Sequence, residues 1–432
     1  MEKIAKALVV AGLAASLASF AGAQGFTFNV VKVQNSNPNV PTAMNNAGQV
    51  LVNGGTQGAL SVSLWNRTGG AQSLALSGAS NVGAALSDAN DVAGAGLPNG
   101  SNEVQAFLWQ PGGVTTWLGT LGGVLSAASG VNSAREVVGT AFTAASLQHA
   151  FLWTPTLGMQ DLTPTLTSAG GATATAINTP AEVVGYYYPN GANNVVGFSW
   201  TQAGGLESFG APGTMAFGIN DAGTIVGQEL TASGYRHAFS KTQSGGMVDL
   251  GTLGGEMSTA YAINNKGWIV GTSTTNDGIG ILHGFLWTPS GGMQDFISLA
   301  NIGTEKQPYS LGINDYGDIA FTNKNLMIVM LPNMTQTAVS SANPSTVGQP
   351  ITITVSLTSI AGPPPDGEQV QVSMASQTGT GTLKGGVAKV TITGVGAGSH
   401  RVIVAYPGDA YYRQFQAYAF TQVVNAAAAN KK

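Results

Sequence analysis

An all-β chain, a seven-bladed β-propeller followed by an immunoglobulin-like β-sandwich, is predicted by three observations. A short Asn-containing phrase recurs through the first three quarters of the 432 residues at a spacing of 42 to 50. The last unit stops one strand short, and one alternating strand precedes the first unit. Beyond residue 332 the repeat gives way to short period-two runs between Pro- and Gly-rich turns.

The phrase is a small apolar residue, Asn, two variable residues, Gly, then a β-branched run ending in Gly. It reads Met44-Asn45-Asn46-Ala47-Gly48, Val131-Asn132 through Gly139, Ile177-Asn178, Ile219-Asn220 through Gly227, Ile263-Asn264 and Ile313-Asn314. A degenerate copy, Leu86-Ser87-Asp88-Ala89-Asn90, fills the gap between the first two. Units of this length match propeller blades. An aromatic strand follows in most units: Ala106-Phe107-Leu108-Trp109, Ala150-Phe151-Leu152-Trp153, Gly197-Phe198-Ser199-Trp200 and Gly284-Phe285-Leu286-Trp287. A Gly-Gly turn and a third short run complete the unit, as in Gly246-Met247-Val248-Asp249. Alternation bounded by glycine pairs is the mark of antiparallel hairpins.

Ring closure follows from the two ends. The seventh unit runs through Ile319-Ala320-Phe321 and Leu326–Leu331 and lacks its last strand, while Phe26–Val33 is a strand without a unit. Joining them hides the edges that an open array would expose. An open solenoid would instead need polar caps at both ends.

These phrases resemble the extracellular HAF-repeat family. The likeness is carried by His149-Ala150-Phe151, His237-Ala238-Phe239 and the Gly-Thr-Leu-Gly-Gly tags at 119–123 and 251–255. It spans roughly residues 26–332 and implies an exported address, without implying an activity. Asn343–Gln349 and Val404–Tyr412 resemble the bacterial Ig-like modules of envelope proteins. The expected division is a signal peptide at 1–23, the propeller at 24–333, the sandwich at 336–425 and a disordered tail at 426–432.

Composition narrows the function classes. Charged residues make up 8% of the chain and the net charge is −4, so no basic patch exists to displace counterions from nucleic acid. Cysteine is absent, which removes thiol catalysis, thiolate metal sites and disulfides. Glu2, Lys3 and Lys6 precede an apolar run from Ala7 to Phe20 and the small residues Ala21-Gly22-Ala23. This reads as a signal peptide cleaved after Ala23, too short to span a bilayer. The expectation is a secreted or envelope protein that is not transmembrane after cleavage.

Candidate chemistry mostly dissolves into the repeat. His149, His237 and His283 share one repeat position, as a structural role predicts. Asp161, Asp249 and Asp295 share another, and Asp88, Asp221 and Asp315 follow the signature Asn or its Ser substitute. Asp and Asn in turns accept local backbone hydrogen bonds, which explains them without function. Nucleophile-elbow, zincin and phosphate-loop motifs are absent, and no cofactor, catalytic residue or metal site is predicted. Asn and Asp oxygens are chemically suited to Ca²⁺, but no recognised Ca²⁺-loop spacing appears.

What remains is where the repeat is broken by aromatic residues. Tyr186, Tyr187 and Tyr188 replace the small residues after Val-Val-Gly, and Trp268 breaks its own unit. These four are the candidate ligand-binding residues. The structural alternative is a thickened strand pair. The expected function is a non-enzymatic binding protein, its propeller facing a glycan or a protein and its Ig-like domain acting as a spacer. The alternatives are a propeller enzyme acting on polysaccharide and a purely structural envelope component. No motif specifies the ligand or the oligomeric state.

Overall fold

A computed structural model describes residues 28–34, 40–56, 59–167, 170–276, 282–300, 302, 309–323, 326–409, 412 and 414–427. The expected signal peptide and most of the expected disordered tail lie outside them. Among the described residues no helix is long and apolar enough to cross a membrane.

Among the described residues seven four-stranded antiparallel sheets form the blades, and each follows chain order except the last. Blade 3 is typical, with Gly122–Val131 innermost, then Val137–Thr143, Gln148–Thr154 and Gly158–Asp161. In the seventh blade, Tyr309–Ile313, Ile319–Asn323 and Leu326–Pro332 are completed by Phe28–Gln34. That strand pairs in unbroken register from Phe28 opposite Pro332 to Gln34 opposite Leu326. The ring is closed by the N-terminal strand, as the two ends of the sequence predict.

The repeat phrase has a steric cause. In five blades the glycine of the second strand lies opposite the phenylalanine of the third: Gly94–Phe107, Gly139–Phe151, Gly185–Phe198, Gly227–Phe239 and Gly271–Phe285. On the other side the inner strand shifts register, so a backbone carbonyl crowds the same glycine. A methyl group at 227 would stand 1.9 Å from the Met215 carbonyl oxygen and 2.9 Å from the Phe239 ring. The bulge and the ring together demand glycine. Blade 7 moves the ring to the second strand, where buried Phe321 takes the glycine's place opposite Ile328.

The signature Asn closes the turn and ties the blades together. Asn264 Oδ1 accepts the Lys266 and Trp268 amides at 3.0 and 2.9 Å, and its Nδ2 donates to the Asn314 carbonyl at 2.8 Å. Equivalent inter-blade bonds run from Asn45 to Ser87, Asn132 to Asn178, Asn178 to Asn220, Asn220 to Asn264 and Asn314 to Asn45. Ser87 is too short to repeat the bond. There the Arg135 guanidinium reaches Asp91 from the next blade at 3.3 Å instead.

Three residues beyond each Asn the backbone is left-handed, and Gly48, Gly223, Gly267 and Gly317 take that position. Blade 4 has Ala181 there, at φ 66°. Since this conformation strains any side chain by roughly 1–2 kcal/mol, Ala181→Gly should stabilise the protein. After the glycine's unfolded-state entropy is subtracted, about 0.5–1 kcal/mol remains. A higher urea midpoint at unchanged m-value is the expected reading.

The second domain is a sandwich. One sheet has Thr335–Ser340, Ile351–Thr358 and Val387–Ile392; the other has Ser345–Thr346, Phe415–Asn425, Gly398–Tyr406, Gln369–Met374 and Gln377–Thr382. Its core is the alternating set read from sequence, including Ile351, Ile353, Val355, Val370, Val372, Val390, Val402 and Val404. The domain expected to act as a spacer touches the propeller directly. Only Asn333 and Met334 separate its first strand from the propeller, and Met334 packs on the sandwich core. Tyr316 of blade 7 packs on that core too, while Ala361 of the sandwich joins the apolar cluster of the last blades.

Candidate functional site

The inner strands enclose an axial channel whose two ends differ. At the end formed by the Asn turns lies a polar opening of about 160 Å³, lined by Asn46, Asp88, Ser133, Thr179, Asp221, Asn265 and Asp315 among others. Its carboxylates are engaged in joining blades. Asp88 accepts the Asn46 backbone amide at 2.8 Å and Asn46 Nδ2 at 2.9 Å. Asp221 accepts the Thr179 amide at 2.8 Å, and Asp315 accepts that of Asn265 at 2.7 Å. Asn265 Nδ2 lies between Asp221 and Asp315, at 3.0 and 3.1 Å. The reading of these aspartates as local turn acceptors is therefore corrected: the local amides go to the signature Asn, and each Asp accepts from the neighbouring blade's turn. Among the described residues no group of three His, Asp or Glu is arranged to hold a metal ion.

The opposite part of the channel, about 240 Å³, has a different lining. The residue three before the signature Asn faces it in each of the first six blades: Thr42, Ala84, Ser129, Thr175, Phe217 and Tyr261. The hydroxyls of Thr42, Ser129 and Thr175 donate to the carbonyls of Gly83, Ala174 and Ala216 in the adjoining blades. Blades 5 and 6 carry rings at the same position. Phe217 and Tyr261 lie 5.9 Å apart at 35°, and Tyr186 meets Phe217 edge-on at 6.3 Å. Tyr261 is 40% exposed. The channel thus carries rings on two adjacent blades and hydroxyls on three others, a combination that suits a ligand with both apolar faces and polar edges.

The four aromatic residues singled out in the sequence separate. Tyr186 touches the channel-lining Phe217 edge-on. Tyr187 packs on Phe198 at 6.2 Å and its hydroxyl bonds Ser208 at 2.7 Å, so it serves the blade. The Tyr188 ring lies over Gly170, where a methyl would come within 2.5 Å of it. Trp268 is corrected outright. It is 8% exposed, in the apolar cluster shared with Ala361, because its turn faces the Ig-like domain. Phe217 and Tyr261, which line the channel, were not singled out, although they break the repeat at one register and the sequence displays this.

The histidines are held within their own blades. His149, His237 and His283 bond through Nδ1 to Asp161, Asp249 and Asp295 at 2.7, 2.8 and 2.7 Å. The pairs share one sequence separation, 12 residues, a regularity that announces them. Each Asp also caps the following turn, accepting the amide of Thr163, Gly251 or Ile297. In blade 5 Glu229 stands across from His237. Burial first, then the Asp249 carboxylate, raise its pKa, while His237 pulls it down.

Residues 337–425 match the bacterial Ig-like domain (group 3) family. No curated protein matches the chain in sequence. Among solved structures the chain is similar to AofleA from Arthrobotrys oligospora, at 12% identity and a TM-score of 0.35, covering 64% of this chain and 90% of that one. It is also similar to a gluconolactonase from Xanthomonas campestris, at 9% identity and a TM-score of 0.35, covering 70% and 99%. TolB from Acinetobacter baumannii aligns at 10% identity and a TM-score of 0.33, covering 71% and 80%. Likeness at this level carries no inference about ligand or activity.

Proposed function

We propose that this is an extracytoplasmic, non-enzymatic binding protein that takes a neutral glycan at the aromatic end of its channel. The observation that carries the reading is the Phe217–Tyr261 ring pair on the channel wall, with Tyr186 edge-on to Phe217, in a channel that also carries the hydroxyls of Thr42, Ser129 and Thr175. Sugar rings present C–H faces that stack on aromatic rings and hydroxyls that exchange hydrogen bonds. The channel carboxylates are engaged between turns, which speaks against a free acid–base pair of the kind glycoside hydrolysis needs. The Ig-like domain, and the resemblance of the repeats to exported proteins, support an address outside the cytoplasm.

The test is a glycan array probed with the wild type, Tyr261→Ala and Phe217→Ala. Wild-type binding that drops by about tenfold or more in either variant is expected, since an aromatic contact contributes roughly 0.5–1.5 kcal/mol beyond its buried area. Thermal melts control for folding. No binding by the wild type, or binding indifferent to both substitutions, would sink the reading.

A further inference from the structure

We propose that the Ig-like domain is a latch laid across the ring-closing seam, and that ionisation of the Asp318 carboxyl buried beneath it loosens the latch. The seam lies where blade 7 meets blade 1, and the domain grips both. Arg67, in the turn between the last two strands of blade 1, donates from Nη2 to the carbonyl oxygens of Asp409 and Tyr412, the latter at 3.1 Å. From the last two blades, Lys266 donates to the Ala361 carbonyl, and Tyr316 packs on the sandwich core. Gly317 lies between Trp268 and Ala361 so tightly that a methyl would come within 2.7 Å of the indole and 3.3 Å of the alanine.

Asp318 follows directly in that turn and is 1% exposed. Its Oδ2 accepts from Asn314 Nδ2 at 3.1 Å. Its Oδ1 is buried without a hydrogen-bond partner, and so is Nη1 of Arg67. The groups around it come from three elements. Arg67 of blade 1 attracts a negative charge, Asp409 of the sandwich repels it, and the Tyr412 phenol feels it as well. Asp409 itself accepts from the Tyr406 hydroxyl at 2.6 Å and the Tyr412 amide at 2.5 Å. At the edge of the contact, Lys266 lies near Asp315, and burial lowers its pKa.

Burial outweighs the Asn314 hydrogen bond and the Arg67 charge, so the Asp318 pKa is raised from 3.8 to about 7. Lifting the domain would rehydrate the carboxyl and return it towards the ordinary value. Docking therefore takes up a proton. A group raised in the docked state favours docking at low pH and loses that contribution as pH climbs from about 4 to about 7. Above that range the latch stays at its weaker, pH-independent grip.

Hydrogen exchange of the full chain at pH 5.5 and 8.5, corrected for intrinsic rates, tests this. Peptides covering 358–362 and 407–409 report the latch, 402–406 reports the sandwich itself, and 236–241 reports the propeller. With the folded value about 7, the latch should open roughly thirtyfold more often at pH 8.5 while the propeller stays protected. Asp318→Asn should abolish that difference, and Arg67→Met should raise exchange at both pH values. Equal wild-type exchange at the two pH values, or an unchanged difference in Asp318→Asn, overturns the proposal. Glycan binding plays no part in this readout, so the two proposals fail separately.

Discussion

Gly227→Ala is expected to destabilise the protein by roughly 3–5 kcal/mol, at the upper end of what a single added methyl does. The new carbon would meet the Met215 carbonyl oxygen at 1.9 Å and the Phe239 ring at 2.9 Å. The ring alone has room to turn aside, but the carbonyl belongs to the inner strand, held by its pairing with the second strand and by the blade beside it. Relief requires the bulge to open, which removes bonds on both sides. Trimming Phe239 to Leu in the same chain should therefore not rescue the variant. Gly246→Ala is the control, since a methyl there meets nothing within 4 Å. Chemical denaturation separates the outcomes, and a Gly227→Ala midpoint equal to that of Gly246→Ala would refute this account of the repeat.

Asn264→Leu should cost a similar amount, roughly 3–5 kcal/mol, for a different reason. Leucine has nearly the same volume, so packing changes little. What it removes is the acceptor for two backbone amides, Lys266 and Trp268, and the donor to the Asn314 carbonyl. Asn264 is 4% exposed and Trp268 is buried, so water does not replace those partners. Serine should be milder. At the equivalent place in blade 2, Ser87 Oγ accepts the Asp91 amide at 3.0 Å, keeping part of the turn. Asn264→Ser is therefore expected to lose about half as much. Thermal unfolding of the two variants tests the ordering, and a leucine variant as stable as the serine one would show that the inter-blade ring contributes little.

Both predictions concern residues that any reader of the sequence would mark as repeated, yet the repetition alone does not explain them. The Val-Val-Gly and Ala-Phe phrases show that the glycine and the ring recur together. That they are cross-strand partners, with a bulge carbonyl behind the glycine, is visible only in the paired sheet. The His–Asp separation of 12 residues was equally legible, because a hairpin of constant length keeps both side chains in one register. For the aromatic residues, a break in the repeat proved an incomplete guide. It marked Tyr186, whose ring meets Phe217, it passed over the channel-lining Phe217 and Tyr261, and it marked Trp268, which is buried beside the Ig-like domain.

The blade count, the strand order, the closing strand and the sandwich core were determined by the sequence itself. Each rests on local periodicity and turn chemistry, and those are written within a few dozen consecutive residues. Tertiary structure decided which repeat-breaking residues share a surface, where the Ig-like domain sits, and which carboxyl loses its water. Those outcomes join positions far apart in the chain, such as Arg67 with Tyr412 or Asp318 with Asp409. Burial and desolvation depend on everything packed around a group, and no periodicity of the chain carries that information.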